Sequence, residues 1–409
     1  MIKIAIVTHG ALPIPSVKGG GAETLVDQIL IENEKKPLIY FTVYSVYDKK
    51  AQEKINNYKY ADFVFLNSKK DSLISKMKRF LNRLIKGIRT YPEPIDFKKI
   101  KRDLSKKEFD YILLENTIQP FVSYVKKFGT KIILHEHNDF INGGLSNKYK
   151  KTIENTIKNC GAVLTVSKYL KDRIEELNID GKKIYVLKNC TDLKPFSSLN
   201  SINKDDIKSK FSIGKNDFVL LFIGRICPEK GLLELVKGFN RIKNQDNIKL
   251  LIVGSAKSGE NITNNYTKRV FEEINKNKDR IIFTGYIDYS EIYKVYGITD
   301  VVVIPSVWED PAPLTVFESM AAGKPIITTG SGGISEYANH SFAVFCKRSK
   351  ELPELLSNAI MDLYENKEKI IDFGEKAKEE SKKYSTQAYY RDFKNIIFNL
   401  EEKRMIEDK

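Results

Sequence analysis

Two carboxylates in this chain stand where a parallel α/β sheet binds ligands. In the run IPSVWEDPAPLTVFESMAAGKPIITTG, Asp310 and Glu318 have seven residues between them. The run reads as the end of a buried strand (301–305), a loop, a short helix over about 314–322, Gly323 as its stop, and a second strand over 325–329. Backbone N–H groups and the helix dipole converge on an anion where a strand leads through a loop into a helix. A loop acid and a helix acid there can meet the two ends of an elongated ligand, and both accept hydrogen bonds from neutral hydroxyls such as those of a sugar. Glu309 stands beside Asp310, so two acids are available for one role.

Three further clusters share this placement. Gly19, Gly20 and Gly21 follow the apolar run IKIAIVT and precede a helical pattern over about 22–34. Glycines let backbone amides approach a phosphate or a sugar closely. In KIILHEHNDF, His135, His137, Asn138 and Asp139 fall at the carboxyl end of a strand, the ligand side of such a sheet. Two of the chain's four histidines lie there. The strand 218–223 runs into Gly224-Arg225, then Pro228-Glu229-Lys230-Gly231, then a helix over 232–242.

The block around Asp310 and Glu318, with Ser319-Met320-Ala321-Ala322-Gly323 and Pro325, resembles the donor signature of the GT4 branch of the GT-B retaining glycosyltransferases. The family usually has Glu where this chain has Asp310. Gly224, Arg225, Glu229, Lys230 and Gly231 match the family's phosphate motif. The resemblance implies that Arg225 and Lys230 hold a diphosphate whose charge grows as the glycosidic bond breaks. It implies that Glu318 holds ribose hydroxyls and that Asp310, or Glu309, positions the hexose. Leu314 and Thr315 open the helix on the donor side, with Gly254 near the base or phosphates and Tyr286 near the base. Gly20 and Gly21 belong beside the donor phosphates and the acceptor. His137 faces the sugar, with His135 second in line. Asn116, His135 and Asn138 line the acceptor side. No two Asp residues are two positions apart, so the motif of metal-dependent transferases is absent and no essential metal is expected.

The elements that must position these groups alternate. Strand-length apolar runs at 37–44, 60–66, 109–115, 131–135, 162–166, 183–187, 249–254 and 281–287 are separated by helical patterns. The fold class is therefore α/β. The resemblance makes it GT-B: two Rossmann-like parallel-sheet domains facing a cleft, with the last helix crossing back to the first domain. Residues 1–193 plus about 385–409 are assigned to the acceptor-side domain and 194–384 to the nucleotide-sugar domain. Val186–Asp192 resembles the family's hinge sequence, and 194–206 reads as a polar linker. Tyr389, Phe393 and Ile397 supply the docking face of the last helix.

A chain of 409 residues, 42% hydrophobic and 30% charged, is globular and long enough for two cores. Four well-separated cysteines without a paired spacing point to reduced thiols, a cytoplasmic setting and no zinc site. The start, MIKIAIVTHG, reads as a strand and not a signal peptide, and no run is long enough to span a bilayer. A net charge of +15 favours polyanionic partners. From Asp71 to Arg89 an apolar face opposes Lys76, Lys78, Arg79, Arg83, Lys86 and Arg89, the pattern of a helix lying on an anionic membrane face. No basic-aromatic motif for nucleic acid is present. The expected partners are a nucleotide diphosphate sugar, UDP before GDP, and a polysaccharide, lipid-linked or envelope acceptor. A sugar-nucleotide epimerase, or a degenerate relative acting as an envelope scaffold, fits the same residues.

Overall fold

The computed structural model describes residues 1–68, 77, 94–116, 118–141, 147–255 and 265–407. The basic amphipathic pattern over 71–89 lies outside the described residues, Met77 apart. The chain divides into two compact units: Met1–Asn189 together with Thr386–Lys409, and Cys190–Ser385.

In the first unit seven strands form one parallel sheet: β1 Ile2–Val7, β2 Ile39–Val46, β3 Ala61–Leu66, β4 Tyr111–Glu115, β5 Ile132–Glu136, β6 Ala162–Thr165 and β7 Ile184–Val186. Their order is β3-β2-β1-β4-β5-β6-β7. The second unit carries β8 Phe218–Ile223, β9 Ile248–Val253, β10 Ile281–Gly285, β11 Val301–Ile304, β12 Ile326–Thr328 and β13 Ala343–Phe345. They lie in the order β10-β9-β8-β11-β12-β13, again all parallel. Helices cover both faces, so strands such as Ile4–Val7 and Val219–Leu221 are apolar without alternation and fully buried.

In each sheet the chain winds outward from a central strand, then returns to that strand's other side. The order reverses between β1 and β4 in the first unit, and between β8 and β11 in the second. The carboxyl ends of strands flanking such a reversal bind ligands in open α/β sheets, because the following loops part there.

The last helix, Thr386–Glu407, packs on the helix Gly21–Lys35 within the first unit. Tyr389, Phe393 and Ile397 fall on one stripe and are buried. Thr386 Oγ1 donates to Glu32 at 2.6 Å and Tyr390 OH to Asn33 at 2.7 Å, which fixes the register of the pair. Residues 194–206 correct the expectation of a linker. Leu193–Ser197 and Lys204–Lys210 are helices capped by Asp192 and Asn203, whose side chains accept N–H bonds from the first turn. The polar residues that suggested a linker include one of these caps, Asn203.

Candidate functional site

In the second unit, β8 and β11 deliver their loops to the reversal point. Arg225 leaves β8 exposed, and a turn of 3-10 helix, Pro228–Lys230, follows. Gly231 then takes a left-handed conformation, φ 68°, and opens the helix Leu232–Phe239. A Cβ at Gly231 would collide with the Pro305 carbonyl oxygen, so only glycine lets the two loops approach this closely. Val307 N–H donates to the Glu229 carbonyl at 3.0 Å and ties them together. Across this junction the Lys230 ammonium forms an ion pair with the buried Asp310 carboxylate.

The two neighbouring acids are held differently. Asp310 receives Lys230 and, at 3.4 Å, the Ser306 hydroxyl. Glu309 pairs with Arg348 and accepts the Gly332 N–H at 2.5 Å. Glu318 lies on the helix Leu314–Ala321, 3% exposed. Tyr289 OH donates to one of its oxygens at 3.0 Å and Tyr296 OH to the other at 2.8 Å. Burial raises the Glu318 carboxyl and the two tyrosine bonds pull it back. Burial and the Glu318 charge raise both tyrosines, so their hydroxyls stay protonated as donors. Each Glu318 oxygen keeps capacity for another donor. Leu314 and Thr315 are half-buried at the start of this helix. Gly224 N–H bonds the Val253 carbonyl, and Gly254 N–H bonds the Gly285 carbonyl at 2.9 Å, so these two glycines sit side by side at the strand exits. Tyr286, just beyond β10, is 45% exposed.

In the first unit the exits of β1, β4 and β5 carry His9, Glu115 and His137. Glu115 and His135 are register partners on neighbouring strands and share a face, which His137 joins two residues on. His137 Nε2 lies 2.8 Å from Glu115 Oε2, and His135 Nδ1 bonds the other oxygen, Oε1, at 3.2 Å. Burial alone would raise the Glu115 carboxyl. The two imidazoles outweigh it and hold the group down at about 2. Burial first, then His135, lowers His137 to about 4 against the pull of Glu115. Among the described residues these three form the group whose donor atoms are close enough to hold a metal ion, within 4.8 Å of one another. The contacts to Glu115 have the lengths of direct N–H···O bonds.

His135 is fully buried and Nε2 has no partner, so it forms the wall and does not line an acceptor face as expected from the sequence. His137 retains slight exposure and Asn138 is exposed. Asn116 takes a left-handed conformation, φ 51°, and bonds the His135 carbonyl through its N–H at 2.8 Å. Gly20 precedes the helix Gly21–Lys35 with φ 100°, where a side chain would strike Glu23 and Leu12. Glu23 is buried beneath it with His9 Nδ1 at 3.3 Å, a charge contact not aligned as a hydrogen bond. Glu136 points to the opposite face from His135, buried with neither oxygen bonded, and burial followed by the Glu115 charge raises its carboxyl well above the ordinary range.

Sequence reasoning passed over Glu115, Glu23, His9, Tyr289, Tyr296 and Arg348. A signal existed for Glu115: an acid closing an otherwise apolar strand, YILLE, must be satisfied by something buried with it.

Comparison with known proteins completes the description. Residues 203–380 match the family model described as Glycosyl transferases group 1, and residues 57–194 match Glycosyltransferase Family 4. The chain is 25% identical to spore coat protein SA of Bacillus subtilis, covering 98% of this chain and all of that one. It is 25% identical to the lipopolysaccharide 1,2-N-acetylglucosaminetransferase of Salmonella typhimurium, over 69% of this chain and 72% of the relative. Among solved structures, Anabaena Alr3699/HepE in complex with UDP and glucose superposes with a TM-score of 0.73 at 17% identity, covering 98% of this chain and all of that one.

Proposed function

The chain is a glycosyltransferase of the GT-B fold, and from that premise we propose that it is a retaining enzyme of the GT4 kind. It moves a hexose or N-acetylhexosamine from a nucleotide diphosphate sugar, UDP before GDP, to a polysaccharide, lipid-linked or envelope acceptor. The observation that carries this reading is the Lys230–Asp310 ion pair at the strand-order reversal of the second unit. One member offers a fixed cation for a diphosphate and the other an acceptor for sugar hydroxyls. Exposed Arg225 supplies the second cation, so the leaving group's charge is met by side chains without an essential metal. Glu318, oriented by its two tyrosines, takes the ribose hydroxyls. Glu309, held by Arg348, supports the hexose loop. The family resemblance assigns Gly20, Gly21 and His137 to the sugar, and Asn116 and Asn138 to the acceptor.

In the reaction the donor's anomeric C–O bond breaks and the electron pair leaves with the nucleoside diphosphate. The acceptor oxygen bonds the anomeric carbon on the same face, and its proton passes to the departing phosphate oxygen. Arg225 and Lys230 stabilise the charge that develops there. Two similar proteins agree with this chemistry at the level of class: a solved neighbour bound UDP and glucose, and a relative transfers N-acetylglucosamine.

Thermal shift in EDTA with UDP, GDP and their sugars tests the reading. At a hundredfold excess over the dissociation constant, the right nucleotide adds about 2.7 kcal/mol of stability. Arg225→Ala and Lys230→Ala are expected to remove that gain. Stabilisation that persists undiminished in both variants, or appears only with added metal, overturns it. Docking of residues 71–89 on an anionic membrane belongs to the same proposal. Vesicle flotation is expected to fail when Lys76, Arg79, Arg83 and Lys86 become Glu, and equal flotation rules the docking out.

A further inference from the structure

Glu115 touches both histidines at the exit of β5, and what it does there follows from hydrogen-bond bookkeeping at one carboxylate. The side chain is 2% exposed. A carboxylate so far from water must be met by donors. When ionised it can only accept, so each nitrogen facing it carries the hydrogen. His137 Nε2 at 2.8 Å from Oε2 and His135 Nδ1 at 3.2 Å from Oε1 are those nitrogens. A neutral imidazole has one N–H, and the bond made by one nitrogen decides the state of the other. With Nε2–H committed to Glu115, His137 Nδ1 is left without a hydrogen.

We propose that Glu115 is a positioning residue for His137: it fixes the imidazole as the Nε2–H tautomer and so presents Nδ1 as a bare acceptor for a sugar hydroxyl. This rests on the transferase reading above, which places His137 at the sugar. His135 plays the complementary part. It closes the other side of the carboxylate, and its own Nε2 is buried without a partner, so it offers nothing to a ligand. The ring-to-ring distance of 4.1 Å keeps the two imidazoles packed as one unit around the carboxylate. An acceptor role requires His137 to be neutral, and burial beside His135 lowers its affinity for a second proton. Glu115 acts only through His137. Its loss is expected to lower turnover by about 10- to 100-fold, the range for outer partners of an oriented histidine, with little change in KM for the donor.

Nitrogen-15 imidazole spectra of the intact chain at neutral pH read the tautomer directly, and with four histidines each can be assigned by single His→Gln variants. Wild type is expected to show His137 neutral with hydrogen on Nε2. In E115Q, whose amide can donate as well as accept, a mixture of tautomers is expected while circular dichroism is unchanged. Hydrogen on Nδ1, an imidazolium, stoichiometric zinc by elemental analysis, or the same tautomer in folded E115Q overturns the proposal. So does an effect of E115Q on turnover that persists in an H137A background. The wild-type spectrum needs no variant and no donor. The expected tautomer in a chain that binds no nucleotide would overturn the nucleotide-sugar reading and with it the sugar-hydroxyl role, and leave only the tautomer assignment standing.

Discussion

Glu23 shows how a single carboxyl at the first-unit site sets a pH dependence. Burial lifts it to about 7, opposed by its own backbone N–H bond and reinforced by the Glu115 charge. A carboxyl raised in the folded state stabilises the fold below its ordinary value of 4.5 and loses that contribution as pH climbs through 7. Replacing Glu23 with Gln removes the titration and keeps the shape. E23Q is therefore expected to melt above wild type at pH 8, by a margin on the order of 3 kcal/mol at most, and level with it at pH 4.5. Melting curves at the two values check this. A constant offset would mean that Glu23 matters through packing alone. The paired tyrosines make the opposite case. Glu318 is buried as deeply, yet two hydroxyl donors satisfy it. Tyr296→Phe leaves one buried oxygen short of a donor and is expected to cost about 1–3 kcal/mol.

At the scale of elements, the site depends on two loops held at one backbone crossing. Gly231 is the hinge of that crossing: its left-handed φ and the Pro305 carbonyl beside it exclude a side chain. Gly231→Ala is expected to cost about 1–2 kcal/mol for the conformation alone and to push Lys230 away from Asp310. Its diagnostic is a loss of nucleotide-induced stabilisation larger than the loss of Tm, measured in paired melts with and without UDP. Much of this architecture was legible. Fully buried parallel strands leave unbroken apolar runs, so β8 was bounded at Phe218–Ile223 from its letters alone. The loops announced themselves by glycine and by charge following an apolar run. What escaped was of two kinds. β13, Ala343–Phe345, is too short to show a period. The partners of Glu115, Glu309 and Glu318 come from positions 20 to 39 residues away, brought together by sheet register and helix packing, which local pattern does not encode. Asn203 misled for another reason: a helix cap and a linker use the same polar residues.

For the molecule as a whole, the chain's two ends belong to one unit, and that arrangement predicts how it comes apart. The helix Thr386–Glu407 enters the first unit after the complete second unit has been traversed. Its Phe393 is wholly buried, flanked along the same stripe by Tyr389 and Ile397. Truncating a buried phenylalanine removes its transfer free energy and leaves a cavity, together about 3–5 kcal/mol. Phe393→Ala is expected to spend that loss on the first unit, to which this helix belongs. Hydrogen exchange followed peptide by peptide should then show lost protection across Gly21–Lys35 and β1–β7, with β8–β13 as slow as in wild type. Nucleotide binding is expected to report on the same division, because Arg225, Lys230, Asp310 and Glu318, which the proposed function assigns to the donor, all lie in the second unit. UDP-induced stabilisation of β8–β13 is expected to survive the substitution, while transfer, for which we propose a role of His137, is expected to fall with the first unit. Uniform loss of protection over both sheets would mean instead that the two units fold as one cooperative body.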